Sequence, residues 1–303
     1  MNYIILDLEW DSAYSVRHKR FINQILQIGA VKLDGNFNIT DTFEQTVRSS
    51  VSKKVSGRFA ALTGITTEKM RDGIPFDEAV DRYNEWAGKD TVTMTWSDSD
   101  LYSIKENEEC LLSGGRRFAV EKYLDLQKFV QGELKKAGYE DKNQISLAAA
   151  AELLGVNTQG LELHTAKDDS LLCVALLKKC YNKESFEPLI RDTGDPEFYR
   201  RLRFKPYAIS NINDERIDKS QLVFYCDKCG ARANRTSAWR YRNRWFAAKF
   251  TCPKCARRFS GRLTFKKTYD DVLVRRRICE IKTASEKAAG QKPAERKTAA
   301  GPV

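Results

Sequence analysis

Two pairs of cysteines toward the C-terminal end constrain the fold of this chain more than any other feature. Cys226 and Cys229 form one CxxC pair, Cys252 and Cys255 form a second, and 22 residues lie between the pairs. Four thiolates at this spacing are typical of a zinc ribbon, in which a short β-hairpin joins two metal-binding turns. A unit of roughly 50 residues has too small a core to be stable alone. We therefore predict a small C-terminal zinc ribbon with four cysteine ligands and one structural Zn²⁺.

The positive charge of the chain is concentrated in the same region. The net charge is +11, and residues 221–282 contain 17 Lys and Arg against 4 Asp and Glu. Between the cysteine pairs cations alternate with aromatic rings, a pattern that suits single-stranded nucleic acid. The candidate nucleic-acid-binding residues there are Trp239, Arg240, Arg242, Arg244 and Trp245. Two other interpretations stay open: an ordinary ribbon with an aromatic core, and a surface that docks a protein partner.

Two classes of protein are not expected from this sequence. The first residues lack the charged start and long apolar stretch of a secretory signal, and no segment approaches the ~18 apolar residues of a membrane helix. The four cysteines outside the CxxC pairs have no regular spacing, which favours a reducing compartment over a disulfide framework. We therefore expect a cytoplasmic protein with no membrane partner.

An α/β domain is predicted ahead of the ribbon. Residues 3–6 form a buried strand that ends at two carboxylates, and further strands are expected at 27–33, 39–47 and 91–96. Helical periodicity is found in residues 75–88, 124–137, 147–154 and 166–181. This order predicts one mixed sheet flanked by helices. The predicted boundaries are a domain at 1–183, a linker at 184–220, the ribbon at 221–268, a basic extension at 269–282 and a disordered tail at 283–303.

Carboxylates recur at the ends of these predicted elements. Asp7 and Glu9 are two residues apart, so they share one face of the first strand about 6.6 Å apart along it, where they repel each other unless a cation lies between them. Asp98 and Asp100 follow the fourth strand, and Asp169 opens the last helix. A solvated strand end or a helix cap would explain each of them alone. Only the ordered set favours a metal site.

His164, one of two histidines in the chain, belongs to this set. It precedes Asp169 by five positions, an offset of about 140° on a helix, so the two would not share a helical face. We therefore place His164 in the loop before the last helix, from which it could turn toward the carboxylates. A buried or capping histidine is the alternative.

Three motifs in this order resemble those of the DEDDh 3′-5′ exonucleases, the DnaQ-like superfamily. They are Asp7-Leu8-Glu9, an aspartate shortly after Trp96, and the segment from His164 to Asp169 that opens the last helix. The resemblance spans about residues 1–182 and implies a ribonuclease H-like α/β fold with a mixed five-stranded sheet. It further implies two Mg²⁺ or Mn²⁺ ions, bridged by Asp7, with Glu9 and Asp169 on the ion that activates water.

The same resemblance implies roles for the remaining motif residues. Asp100 would hold the second ion, with Asp98 as a rival for that role, and His164 would take a proton from the attacking water. Leu8 and Trp10 would contact the nucleic acid, although relatives commonly have a small hydroxyl residue in place of this tryptophan. Asp11 could be merely an exposed residue, and Asp168 could be a helix-dipole partner instead of a metal ligand.

The predicted activity is metal-dependent 3′-5′ exonucleolytic release of nucleoside monophosphates from single-stranded 3′ ends. An alternative is a nucleic-acid-binding or adaptor protein that uses the same fold and the ribbon for recruitment without turnover. No residue is assigned to a 2′-hydroxyl group, so DNA and RNA both remain candidate substrates. The basic stretch around His18 is either a solvated loop or a further contact with phosphates.

Overall fold

The computed structural model describes residues 2–139, 143–160 and 165–281. The chain divides between Arg203 and Phe204 into two compact units, each described by itself below. This division lies inside the segment predicted as a linker. Within the described ranges, every helix is too short or too polar to cross a membrane.

The first unit is built on a mixed sheet with the order β3-β2-β1-β4-β5-β6. Its strands are β1 (Asn2–Ser15), β2 (Arg20–Leu33), β3 (Ile39–Thr46), β4 (Thr91–Thr95), β5 (Lys122–Asp125) and β6 (Arg191–Asp192). β1, β4 and β5 are parallel to one another, and the other neighbours are antiparallel. The predicted mixed sheet is thus present, with six strands instead of five because the two-residue β6 pairs with the edge of β5.

Nine helices of the described residues flank this sheet. They are α1 (Gly57–Thr63), α2 (Thr67–Asp72), α3 (Phe76–Ala87), α4 (Ser99–Leu111), α5 (Leu126–Lys136), α6 (Leu147–Leu153), α7 (Ala166–Cys180), α8 (Lys183–Phe186) and α9 (Pro196–Arg203). Hydroxyl side chains begin several of them; Ser146 and Thr165, for example, accept the N–H of the third residue of α6 and α7. The predicted helices near 75–88, 147–154 and 166–181 are therefore present.

Alternation along β1 separates two hydrophobic cores. Ile5 packs with residues of α5, α6 and α7 on one face of the sheet. Ile4, Leu6 and Leu8 pack with residues of α3 and α4 on the other. Because side chains alternate along a strand, Asp7 and Glu9 are on the same face as Ile5 and so look toward α7.

Two predicted boundaries are wrong, and one helix was not predicted. β1 does not end at Asp7; it continues to Ser15 because β2 pairs with it along its whole length, whereas β4 accompanies it only as far as Ile5. Residues 122–125 form β5, so the helix predicted from residue 124 begins at Leu126. Helix α4 was not predicted, although it carries Asp100 in its first turn.

The second unit is a small antiparallel β structure. Its strands are β7 (Tyr207–Ala208), β8 (Asn234–Arg235), β9 (Arg240–Arg242), β10 (Trp245–Thr251), β11 (Arg258–Lys267) and β12 (Val272–Cys279). Buried aromatic residues, including Phe224, Phe250 and Phe259, form its core. The predicted basic extension includes β12, which pairs with β11 from Val272 to Cys279. The predicted disordered tail at 283–303 lies outside the described residues.

Candidate active site

Three carboxylates from two elements that lie far apart in the sequence meet at one face of the first sheet. Oxygen atoms of Asp7, Glu9 and Asp169 lie within 4.8 Å of one another. β1 supplies the first two, and the first turn of α7 supplies the third. Hard oxygen ligands of this kind suit Mg²⁺ or Mn²⁺, so the donor set fits the predicted catalytic ions.

A glycine allows α7 to come close enough to complete this group. Gly29 on β2 lies opposite Asp7 in the strand ladder. A Cβ atom at position 29 would lie 2.3 Å from the carbonyl carbon of Ala166 and 2.4 Å from the backbone nitrogen of Lys167. The first turn of α7 therefore rests directly on the β2 backbone. Sequence reasoning missed this role, although an isolated glycine within a strand indicates close approach of another backbone.

Hydrogen bonds fix the same turn. The N–H of Ala166 donates to the side-chain oxygen of Gln27 at 3.4 Å. The hydroxyl of Ser170 donates to the Ala166 carbonyl at 2.8 Å and lies 3.4 Å from the Gly29 carbonyl oxygen. Gln27 itself lies opposite Glu9 across β1 and β2. Gln27 and Gly29, which anchor α7, are therefore the strand partners of Glu9 and Asp7, the two carboxylates that Asp169 joins.

Asp100 reaches β1 from the start of α4. Its carboxylate accepts the backbone N–H of Leu8 at 3.2 Å, and only 3% of the residue is exposed. Asp98 precedes α4 and points elsewhere: Lys128 Nζ lies 3.3 Å from its carboxylate, and 47% of its side chain is exposed. The geometry therefore favours Asp100 over Asp98 as the fourth carboxylate beside Asp7.

Ser97 shapes the turn that brings Asp100 into place. Its φ angle of 91° lies in the left-handed region that favours glycine. The hydroxyl of Tyr123 donates to the Ser97 carbonyl at 3.0 Å, and Thr95 donates to the same oxygen. These two donors hold a backbone conformation that serine alone would disfavour.

Burial, and after it the crowding of negative charge, raises the pKa values of these carboxyl groups. Burial, followed by the charges of Asp100, Glu9 and Asp169, holds the pKa of Asp7 well above its usual range. Burial and then Asp169 raise the pKa of Glu9 to about 7. Burial raises the pKa of Asp100 to about 8, although the Leu8 N–H and a second backbone hydrogen bond oppose this shift. A cation that binds these carboxylates would therefore displace protons from them.

The other predicted residues of this region have varied placements. His164 lies outside the described residues. The Leu8 side chain is buried in the α3–α4 core, so a contact of this residue with nucleic acid would have to use its backbone. Trp10 packs half-buried against the same core. Asp11 accepts hydrogen bonds from the N–H and hydroxyl of Ser56 at 2.6 and 2.9 Å. His18 lies in the β1–β2 turn, where its ring pairs with the Ser15 hydroxyl at 3.0 Å.

The four predicted cysteines form a second candidate metal site in the second unit. Their sulfur atoms lie within 4.8 Å of one another, with Cys226–Cys255 and Cys229–Cys252 separations of 3.6 and 3.4 Å. Zinc–sulfur bonds of about 2.3 Å in a tetrahedron place sulfur atoms roughly 3.8 Å apart, so the thiols fit a structural Zn²⁺. Although burial opposes it, backbone N–H donors lower the pKa of Cys252 to about 7. The predicted four-cysteine cluster is thus present.

The aromatic residues between the cysteine pairs belong largely to the core of this unit. Trp239 packs against Phe224 and Phe250, with ring centroids 6.3 and 5.8 Å apart. The Arg277 guanidinium lies 5.5 Å from the Trp245 ring. Both tryptophans are therefore partly covered, which favours a structural role for them. The exposed cations of β9 and its turn are Arg240, Arg242 and Arg244.

Comparison with known proteins locates the first unit within a family. Residues 21–177, just over half of the chain, match the family model described as Exonuclease. The probable 3′-5′ exonuclease KapD of Bacillus subtilis (strain 168) is 26% identical over 185 residues, which cover 58% of this chain and 82% of that protein. The family match begins after β1, so Asp7 and Glu9 are located by the structure.

One solved structure shows a similar fold, and a second superposes less closely. Cell-death related nuclease 4 (CRN-4) superposes with a TM-score of 0.50 at 19% identity, covering 59% of this chain and 62% of that one, a little under two thirds of its length. The nuclease domain of 3′hExo, a DEDDh family member bound to rAMP, gives a TM-score of 0.49 at 21% identity, covering 59% of this chain and 90% of that one. At these identities the likeness concerns the fold alone.

Proposed function

Because this chain belongs to the exonuclease family, we propose that it removes nucleoside monophosphates stepwise from the 3′ ends of single-stranded nucleic acid. The observation that carries the proposal is the meeting of Asp7, Glu9 and Asp169 within 4.8 Å. Two Mg²⁺ or Mn²⁺ ions, when bound, would supply charge neutralisation at the scissile phosphate and a more acidic water. The KapD relative is described as a probable 3′-5′ exonuclease, which supports the polarity.

Each carboxylate has a distinct task in this proposal. Asp7 lies on β1 with its carboxylate within 4.8 Å of those of Glu9 and Asp169, and it would help to hold both ions. Glu9 and Asp169 would hold one ion, and Asp100 would serve the other. The Leu8 N–H that Asp100 accepts fixes the direction of its carboxylate. His164 is proposed to take the proton from the attacking water.

The four-cysteine cluster is proposed to bind one Zn²⁺ as a structural ion. Cysteines on two turns would hold it, so the ion would replace part of the core that so small a unit lacks. The surrounding cations suit an acidic partner. Nucleic acid is the partner that agrees with the first unit, whereas a docked protein remains the alternative for this surface.

Stepwise shortening of a labelled strand tests the proposed activity. A single strand labelled at its 5′ end should give a ladder of products with Mg²⁺ or Mn²⁺, and the released material should be nucleoside monophosphates. Asp7→Asn and His164→Ala should each abolish the ladder while the strand is still bound. Matched DNA and RNA strands in parallel assign the sugar. Binding without any shortening by the parent protein would instead support an adaptor without turnover.

A further inference from the structure

A basic cleft lies beside the carboxylates on the first unit. It is a cavity of about 570 Å³ between the loop after β3 and helix α2. Three cations and three serines contribute to its lining, which holds no acidic residue; the full lining is Arg48, Ser49, Ser50, Val51, Ser52, Lys53, Met70 and Arg71. The exposed residues Lys54, in the same loop, and Arg58, in the first turn of α1, add positive charge beyond this lining. The lining thus combines positive charge with hydroxyl donors, which suits an anion with several phosphates.

Hydrogen bonds hold this loop on the carboxylate face of the sheet. Side chains alternate along β1, so Asp11 shares a face with Asp7 and Glu9, and Gln24 is its partner across β2. Ser49 bonds the Gln24 side chain, and Ser56 donates to the Asp11 carboxylate. The loop is thus fixed at both ends to residues of the face that carries the active-site carboxylates.

The spacing places the cleft a few nucleotides from the reaction centre. Asp11 is two residues beyond Glu9, about 6.6 Å along the strand, and the next strand adds about 4.8 Å. These two directions are perpendicular, so Gln24 lies roughly 8 Å from Glu9, and its side chain extends further to Ser49. The cleft therefore begins on the order of 8 to 13 Å from Glu9. A stacked strand rises about 3.4 Å per nucleotide, so this distance corresponds to about two to four nucleotides from the 3′ terminus.

The cations of the cleft have few internal partners. Within the described part of the chain, the side chains of Arg48 and Lys53 have no carboxylate at ion-pair distance, and Arg71 donates to the Lys53 carbonyl at 3.4 Å. Some cations elsewhere in this unit have carboxylate partners, as Arg20 has Glu106 and Lys122 has Asp90. Neighbouring unpaired cations repel one another, and phosphates would relieve this repulsion.

We propose that the basic cleft binds the backbone phosphates of the single strand two to four nucleotides upstream of the 3′ end. This inference rests on the proposed function and extends it from the terminal nucleotide to a longer footprint. Arg48, Lys53 and Arg71 neutralise the phosphates, and the serine hydroxyls of the loop donate to their oxygens. A dinucleotide reaches the carboxylates without reaching the cleft, so the cleft favours longer strands.

A matched pair of double variants of the full chain tests this footprint. Arg48→Gln with Lys53→Gln removes two cations from the cleft. Lys89→Gln with Lys178→Gln removes two exposed cations away from it, one before β4 and one in the last turn of α7, nine residues or about 13 Å from Asp169. Binding of a 12-nucleotide strand is measured by fluorescence anisotropy at several salt concentrations, and kcat and KM are measured with the 12-mer and a dinucleotide.

The cleft variant should bind the 12-mer on the order of tenfold more weakly, and its salt slope should fall by about 1.4 because two phosphate contacts are lost. Its kcat and KM for the dinucleotide should match those of the parent, and the control variant should match the parent throughout. Equal weakening in both double variants, or equal loss on the dinucleotide, overturns the inference. A parent that hydrolyses neither substrate overturns the proposed function, while the binding comparison still decides the cleft.

Discussion

The carbonyl carbon of Ala166 occupies the place where Gly29 would otherwise carry a side chain. A Cβ atom at Gly29 would lie 2.3 Å from it, far inside van der Waals contact. Since Gly29 is also the ladder partner of Asp7, the absence of one methyl group sets how closely α7, and with it Asp169, approaches the β1 carboxylates. The position of the candidate metal site thus depends on a residue that bears no functional group.

Gly29→Ala should therefore separate the two halves of the site. The added methyl group forces α7 away from β2, so exonuclease activity should fall on the order of 100-fold, with a loss of about 1–3 kcal/mol in the free energy of unfolding from overpacking. The measurements are initial rates on a labelled strand and urea unfolding. Gly132→Ala in α5 is the control, because nothing lies within 4 Å of its Cβ, and it should be neutral or slightly stabilising.

Exchanging carboxylates for amides should distinguish Asp100 from Asp98. Asp100→Asn keeps the shape of the residue but removes a charge beside Asp7, so kcat should fall by roughly 100-fold or more. Asp98→Asn loses only an exposed ion pair with Lys128 and should retain activity within about threefold. Rates at saturating Mg²⁺ provide the measurement. Equal losses in the two variants would refute the assignment of the fourth carboxylate.

Stabilisation by Mg²⁺ should increase with pH. Burial and the charge of Asp169 raise the pKa of Glu9 to about 7, so without metal this group is mostly protonated in the folded chain at pH 6. As the pH rises from the ordinary pKa of a glutamate through 7, the ionisation of Glu9 lowers the stability of the metal-free fold. Protons and Mg²⁺ compete for the same oxygens, which weakens binding about tenfold per pH unit below 7 for each proton displaced.

The Mg²⁺-induced rise in Tm should accordingly be much larger at pH 8 than at pH 6. Mg²⁺ is the suitable probe because it competes poorly for thiolates, and so the four-cysteine cluster does not contribute. Asp7→Asn should remove the Mg²⁺-induced rise at both values. A rise of the same size at pH 6 and pH 8 in the parent would contradict proton competition at this site.

Loss of one thiol should unfold the second unit. Cys226→Ser should reduce zinc content, measured by elemental analysis, from one ion per chain to a small fraction, and cleavage after residue 204 in limited proteolysis should become faster. Cys279→Ser is the control, because its thiol is on β12 and outside the cluster. An unchanged zinc content in Cys226→Ser would show that the cluster is not the zinc site.

The sequence predicted the family, the ribonuclease H-like fold and the class of enzyme, a 3′-5′ exonuclease. All three predictions are confirmed. They were accessible because strand periodicity and the order of three short motifs are local signals. The residue pair Asp7 and Glu9 was recognised together with Asp169, and the structure brings these three together.

Helix α4 could not be predicted because its buried face is partly polar. Asn107 is fully buried, and its side chain accepts the Ile25 N–H and donates to the Asn23 carbonyl. Glu108 is buried and accepts the Phe118 N–H. The partners of Asn107 lie more than 80 residues away in the sequence, and the partner of Glu108 lies in a loop. Because both buried side chains are polar, apolar periodicity does not reveal the helix. The full length of β1 was missed for a similar reason, since β2 extends the strand past the point where its apolar run stops.

The end of β4 leaves part of β1 with an uncovered side. Beyond Ile5, β1 has only β2 as a strand neighbour among the described residues, and an unpaired strand edge invites association with other chains. Asp100 accepts the Leu8 N–H on β1, so the start of α4 satisfies one backbone donor of this uncovered edge. The carboxylate that would serve a metal ion therefore also occupies a position where an added strand would otherwise pair with β1.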